Sequence, residues 1–598
     1  MDKRTVIGIA LIVIITLLMP FYQRWIGGDK KPVITKQVPS DTVPSTPEIA
    51  APPPVMETVT PEIIPPDSTT KSSQIFSEIK ESSEQKTIEI ETDYVRVIWN
   101  NQNGANPIVW DLKKYQHHSG NLVNLIDGNR MKLSFLNVNG REIDLNGFSW
   151  FSNYVDGKKV YLDEKNPRFS MEFSLPIQGG KITKTVHFLY NQYAFEVVIR
   201  FQNLESYIIN RRYFFGWENG LPPTEINIKD DMNYSRAYTY LAEELVNIDA
   251  SSKYDEEDFN GRVDWTAIRT KYFLTSIIPS DPSRTNGANI GGVKIKQANY
   301  ELKKFNMTID AQYEPFPVYS DTFTVYLGPL DYYILRKYKV DLQNLVMNKD
   351  WYERLFRPIS LMIIPAFKFL YRFIPNYGFV IIVFSILIKL VLHPLTKKSY
   401  ASMSEMQYLQ PKMTELREKY KNDPQRLNRE MMKLYKEHGV NPLGGCLPML
   451  LQMPVLFALF IVFRSTIQLR GQPFILWIND LSAPDVLHLG VSLPILGESI
   501  HVLPILMGLT MIWQSKMTMT DPKQKMMAYF MPVFLIFIFY SLPSGLNLYY
   551  AIFNVLSMAQ TRYIKKKTHP NGDNKQSGTP AASQPAKARQ PARKKKQK

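Results

Sequence analysis

The chain has 598 residues, one cysteine and a formal net charge of +16. Cys446 alone excludes an intrachain disulfide, and uninterrupted apolar stretches at both ends argue against a single soluble globule. The basicity is uneven: from Arg562 to Lys598 twelve Lys or Arg stand against Asp573, a net of +11, so most of the charge is a tail.

After a cytoplasmic 1–4, the run TVIGIALIVIITLLMPFY at 5–22 has no charged side chain and follows Lys3 and Arg4. Its 18 residues are just enough to cross a bilayer core. A cleavable signal peptide is the alternative, but the run ends in MPFYQRW without a small-residue cleavage pattern, so the expectation is an uncleaved first span. Residues 23–86 read as a linker, because their crowded prolines remove backbone donors and favour extended chain.

From 87 to 345 short runs of period two recur, among them YVRVIWN, KLSFLNV, RFSMEFSLP, KTVHFLY, YAFEVVIRF, YFLTSII, GVKIKQ and DTFTVYLGP. Asn, Gly, Asp and Pro separate them, the pattern of a large all-β, antiparallel sandwich. The glycine pairs at 179–180 and 291–292 read as hairpin turns. No metal-ligand cluster, nucleophile elbow or phosphate loop is found there, so no catalytic residue, metal or cofactor is expected. At the end of the sandwich DYYILRKYKVDLQNLV (331–346) reads as a connecting helix, and 346–375 reads as connecting and interfacial helices, with WYERLFRPISLMIIPAFKFLYRFIPNYG an amphipathic helix interrupted by Pro358, Pro365 and Pro375. An additional span is the rival reading of the second stretch.

Five further apolar segments follow, at about 377–395, 446–463, 500–514, 526–542 and 544–562, within a helical region of 376–563. With the first span the count is six, which places both termini on one side. Lys397, Lys398, Lys516, Lys523, Lys525 and Arg562 fall on the side of the termini, whereas 465–499 carries Arg470 against Asp480, Asp485 and Glu498. The Lys and Arg bias puts both termini in the cytoplasm and the sandwich outside.

Between the second and third spans, 397–440 reads as a cytoplasmic helical hairpin. Met403, Met406, Leu409, Met413 and Leu416 recur at helical spacing, as do Leu427, Met431 and Leu434 after the KNDPQ break, where Asn422 or Asp423 can cap and Pro424 suits a first turn. The methionines Met403, Met406, Met413 and Met431 are either the seam between the two helices or an adaptable surface for apolar clients.

Polar residues also recur inside the spans. Lys389 stands about six residues before the cytoplasmic end of its helix, roughly 9 Å by helix rise. Asn547, Asn554 and Ser557 share one face of the last span, Thr510 and Gln514 lie one turn apart in the fourth, and Gln452 lies in the third. Each taken singly reads as polar glue between helices, and the lysine as a snorkelling side chain. Together they point to a shared hydrated interior. A small-solute transporter with an anion at Lys389 is the other class, but the five core spans show no internal repeat. The tail, 564–598, reads as a topology and solubility signal or as an electrostatic contact with RNA or anionic lipid.

The stretches HPLTKKSYASMSEMQYLQPKMTELREKY (393–420), NPLGGCLPMLLQMPVLFALF (441–460), FILWINDLSAPD (474–485), LPILMGLTM (503–511) and MPVFLIFIFYSLPSGLNLYY (531–550) resemble the YidC family of bacterial membrane protein insertases, of the type with a large periplasmic domain. WTAIRTKYF (265–273) and VYLGPLDYYILRKY (325–338) look like landmarks of the same family in the β domain. The resemblance implies a multi-pass inner-membrane protein without catalysis. Its five core spans would enclose a hydrophilic groove open to cytoplasm and lipid, where Lys389 stands in place of the family's usual arginine and keeps the charge without the planar fork. Implied partners are nascent membrane proteins, the ribosome, the Sec translocon with its accessory subunits, and membrane lipids, with no DNA partner. Lys565, Lys566, Lys567, Arg593, Lys594, Lys595 and Lys596 are the candidates for ribosome contact. A chaperone that holds spans rather than inserting them stays open beside insertion.

Overall fold

Where alternating apolar residues are flanked by turn formers, the chain is strand. The computed structural model describes residues 79–568 apart from 138, 178, 252–253, 298–299, 348–350, 442–446, 494–496 and 519–524. The span at 5–22, most of the linker, Cys446 and the tail from 569, with Arg593, Lys594, Lys595 and Lys596, lie outside the described residues. The chain divides into two units, one of residues 1–377 with 456–484 and one of 378–455 with 485–598.

Among its described residues the first unit holds three sheets. A nine-stranded sheet is centred on Phe273–Pro279, Val318–Pro329, Ala194–Gln202 and Gly180–Leu189; a six-stranded sheet contains Thr285–Lys296, Glu301–Gln312 and Ile208–Glu218; a five-stranded sheet contains Pro107–Gln116, Val95–Asn100 and Thr87–Glu91. Phe195 pairs with Val325 and Val197 with Phe323, so Phe195 and Phe323 share one face of the large sheet. Both smaller sheets pack on that face. Phe323 meets Phe215 of the six-stranded sheet at 4.8 Å between ring centroids, and Phe195 meets Trp99 and Trp110 of the five-stranded sheet at 5.3 Å. Trp99, Trp110, Phe195 and Phe215 are buried, so this face is the core of the domain. One pair departs from the antiparallel expectation: Thr87–Glu91 lies parallel to Lys158–Tyr161.

The first unit departs from the sequence reading at four points. The folded domain includes residues before 87: Ile79 bridges Ile177 and the Ser82 amide donates to the Ser149 carbonyl at 2.9 Å. Gly179, at φ +79°, is a hairpin turn, but Gly291 and Gly292 lie inside the strand Thr285–Lys296. A Cβ at Gly292 would stand 2.8 Å from the Ala250 Cβ and the Phe305 ring, so that glycine permits close packing rather than a turn. The stretch 331–346 is not one helix. It forms a four-residue turn of helix and two 3-10 turns, broken where Lys339 and Asp341 take φ of 59° and 60°. The next helix is not interrupted by Pro358 or Pro365 and runs unbroken over Trp351–Phe373.

Among the described residues the helices in chain order are α1 (Ile228–Tyr234), α2 (Tyr332–Leu335), α3 (Trp351–Phe373), α4 (Tyr377–Tyr408), α5 (Gln410–Lys419), α6 (Pro424–Glu437), α7 (Leu447–Ser465), α8 (Val502–Thr518), α9 (Lys525–Phe539) and α10 (Ser544–Thr568). Within the first unit α3 packs along the second half of α7, with Phe356 stacked on Phe457 at 5.0 Å and the Ser360 hydroxyl donating to the Ala458 carbonyl at 3.2 Å. The opposite face of α3 exposes Trp351, Leu355, Met362, Phe369 and Phe373, the amphipathic stripe that its spacing predicts. Among the described residues α4 is long and apolar enough to cross a membrane, and α7 and α9 contain the shorter apolar helices Leu450–Ser465 and Tyr529–Phe539.

In the second unit α4 runs on past the predicted span end at 395 and enters the hairpin. There α5 and α6 close on Leu409, Met413, Leu434 and Val440, with Met406 and Met431 packed against them. The Asp423 carboxylate caps α6 by accepting from the Arg426 amide at 3.0 Å, and Pro424 occupies its first turn. Met403 lies outside that cluster. α8 packs against both α9 and α10, and Gly508 allows the close approach to α9, since a Cβ there would overlap Ile536.

Candidate functional site

Helical spacing puts Lys389, His393, Thr396 and Tyr400 of α4 on one side of that helix, and Asn554, Ser557, Gln560 and Thr561 on one side of α10. The two sides face each other. Lys389 is 8% exposed, and its Nζ donates to the Ser557 Oγ at 2.7 Å; Ser557 in turn donates to the Phe553 carbonyl at 2.8 Å. The ammonium also lies 4.4 Å from the Phe553 ring centroid and 5.2 Å from that of Tyr400. Its neighbours are thus a hydroxyl and two aromatic faces. Among the described residues no ion pair to it is present.

One turn further along, Gln560 Nε2 donates to His393 Nδ1 at 2.9 Å and to Thr396 Oγ1 at 3.4 Å. From the same helix Asn554 Nδ2 donates to Thr510 Oγ1 of α8 at 3.1 Å, and Thr510 donates to the Met507 carbonyl at 2.7 Å. A single polar face of α10 therefore joins α4 on one side and α8 on the other. Lys389, Ser557, Asn554 and Thr510 are all buried.

The other candidates separate from this group. Asn547 donates to the carbonyls of Phe539 and Leu542 at 3.2 and 3.4 Å, so it closes the C-terminal end of α9 and joins two helices rather than lining the lysine's surroundings. Gln514 and Gln452 are half-buried on α8 and α7. Met406, Met413 and Met431 form the seam of the hairpin, while Met432 is exposed on its outside. Lys565, Lys566 and Lys567 are exposed at the end of α10. His393, Thr396 and Gln560 are additions to the candidate set. The signal was present in the sequence as steps of four and seven residues from Lys389 and three from Ser557.

Two family models match the chain, one described as the 60Kd inner membrane protein over residues 369–571 and one as the YidC periplasmic domain over 87–359. The membrane protein insertase YidC of Prosthecochloris aestuarii is 37% identical over 581 residues, covering 95% of each chain. That of Chlorobium luteolum is 36% identical over 603 residues, covering 98% of this chain and 99% of its own. A crystal structure of an active YidC insertase with its first transmembrane domain resolved aligns at 19% identity and a TM-score of 0.33, over 81% of this chain and 94% of that one. The matched regions make the helical part a membrane-embedded region and the sheets a large periplasmic domain. At this sequence identity, over nearly the full length of both relatives, the chain belongs to the YidC family of membrane protein insertases.

Proposed function

We infer that the protein inserts nascent inner-membrane proteins into the bilayer and assists their folding, without a covalent step. The reading rests on the family and, within the chain, on one observation: a lysine buried among neutral groups on a polar face shared by α4, α8 and α10. A fully desolvated ammonium without a counter-charge is costly, so a lysine retained there favours water or an anionic visitor beside it.

In the finer reading α4, α7, α8, α9 and α10 are the five core spans, which with 5–22 make six. Both termini are cytoplasmic and α3 lies along the outer interface. A client's apolar segment slides along α7 and α9 while its short polar or acidic flank enters a hydrated groove at Lys389. Hydration lowers the cost of moving the polar residues, the ammonium attracts acidic ones, and transfer of the apolar segment into lipid drives completion. Asn554, Thr510 and Ser557 line the groove; Gln452 and Gln514 stand at its margin. Clients arrive from the ribosome, with Lys565, Lys566, Lys567 and the basic tail as the contact, and the protein works alone or beside the Sec translocon and its accessory subunits.

The test places photo-crosslinkers at Leu450 of α7 and Val533 of α9, both well exposed, and stalls a short membrane protein on the ribosome. Client adducts at both positions are expected. Adducts at the exposed Leu355 of α3 but at neither of these would overturn the route.

A further inference from the structure

Within the first unit, the last turn of α7 carries a charge that is buried against the β domain. Asp230 sits in the first turn of α1, and its two carboxylate oxygens take Lys271 Nζ at 2.9 Å and Arg464 Nη2 at 2.5 Å. The side chains of Lys271 and Arg464 are 10% and 11% exposed. Burial by itself would raise the Asp230 carboxyl, but the two cations hold it well below the ordinary carboxylate range.

Six residues on, Arg470 repeats the arrangement. Its Nε donates to Glu225 Oε1 at 2.7 Å, and its Nη1 and Nη2 reach the carbonyls of Gln116 and Thr224 at 2.8 and 3.3 Å. This side chain is 7% exposed. Between the two arginines, Gln468 donates to Asp331, whose other oxygen caps α2 through the Tyr333 amide at 2.7 Å. Exposed ion pairs are worth little, but these are desolvated and hydrogen-bonded from several directions, so loss of one partner strands a buried charge.

We propose that this network is a clamp by which the periplasmic domain fixes the end of α7, and that Asp230 and Arg464 are positioning residues for insertion. A helix held at its end by directional hydrogen bonds cannot turn about its axis, and that rotation decides which side chains of α7 face a client. The functional half of the proposal rests on the insertase reading; the mechanical half does not.

The experiment uses the full-length chain in proteoliposomes, with Cys446 replaced and spin labels at Val155 and Leu476, both exposed residues of this unit. The unsubstituted network gives one narrow distance distribution. Asp230→Asn and Arg464→Gln broaden it and lower insertion of a single-span client about fivefold. Arg464→Lys, which keeps the charge, restores most of both. The clamp is overturned if the single variants leave the distribution narrow. Its positioning role is overturned if the distribution broadens while insertion stays at the level of the unsubstituted chain. Failure of the unsubstituted chain to insert any client would instead count against the insertase reading.

Discussion

Lys389 and Ser557 face each other across α4 and α10, Nζ donating to Oγ at 2.7 Å, and among the described residues Ser557 is the one hydrogen-bond acceptor of an ammonium that has three donors. A serine hydroxyl orients such a group but does not neutralise it. Among the described residues no carboxylate stands beside it.

Replacement of Lys389 by Leu is expected to slow insertion of clients with acidic translocated segments by roughly three- to tenfold and to leave uncharged ones within about twofold. Lys389→Arg should keep the native pattern, and Ser557→Ala, which removes the orienting partner but not the charge, should fall between. Insertion assays on paired clients that differ only in acidic content check this. Equal insertion of both sets by the Leu variant and the native chain would remove Lys389 from the mechanism.

How much of this site was legible in sequence depends on which geometry the spacing encodes. Asn554 and Ser557 lie three residues apart in one helix, and helical pitch alone puts them on one face. Gln560 pairs with His393 and Thr396, residues 167 and 164 positions away, and no local periodicity says which two helix faces meet. Asn547 shows the converse: it has the right phase, yet it serves the end of α9 because the turn at 540–543 brings the carbonyls of Phe539 and Leu542 to it. The two glycine pairs have one composition and opposite roles, decided by neighbours that lie far along the chain. The eight β runs, by contrast, all fall in strands: alternation marks runs such as RFSMEFSLP, whereas YFLTSII, buried at every position of its strand, is marked by β-branched and aromatic content.

The hairpin seam yields a second prediction. Met413 is 2% exposed between Leu409 and Leu434, and Tyr435 directs its hydroxyl at the Met413 sulfur, 3.9 Å away. Met413→Ala leaves a cavity in a small cluster, a loss of about 2–4 kcal/mol to the local fold. Trypsin cleavage at Arg417 and Lys419 should accelerate at least about tenfold at equal protein concentration. Met403→Ala, outside the cluster, should leave the cleavage rate unchanged.

Gly508 supplies a third. Its α-carbon faces Ile536 where α8 meets α9, with the Pro532 carbonyl 3.7 Å from the position a Cβ would take. Gly508→Leu forces the two helices apart and is expected to lower stability by about 1–3 kcal/mol. Gly508→Ala should cost less, because the end of Ile536 can move, and Gly508→Ala combined with Ile536→Val should recover part of that loss. Thermal inactivation in detergent measures all three; additive losses in the double variant would show that the contact is not the cause.

The last prediction concerns a second buried lysine, on the strand Gly180–Leu189 of the periplasmic domain. Parity places Lys184 with Ile182, Val186 and Phe188 on the inward face, where its Nζ donates to the carbonyls of Gly104 and Ala105, the latter at 2.6 Å, with the Trp150 ring centroid 5.3 Å away. Burial pushes the amine down to about 7, against about 10.4 for an unfolded lysine. Below pH 7 both states carry the proton and the folded chain bears the full cost of a buried charge. From about pH 7 to 10.4 the unfolded chain keeps its proton while the folded one has released it, so stability rises with pH by up to about 1.4 kcal/mol per unit. Lys184→Met removes this slope at nearly constant volume. The urea midpoint of the native chain, measured relative to the Met variant, should therefore climb between pH 7 and 9.5. A difference that stays flat across that range would mean that Lys184 keeps its proton and that the two carbonyls, not burial, govern it.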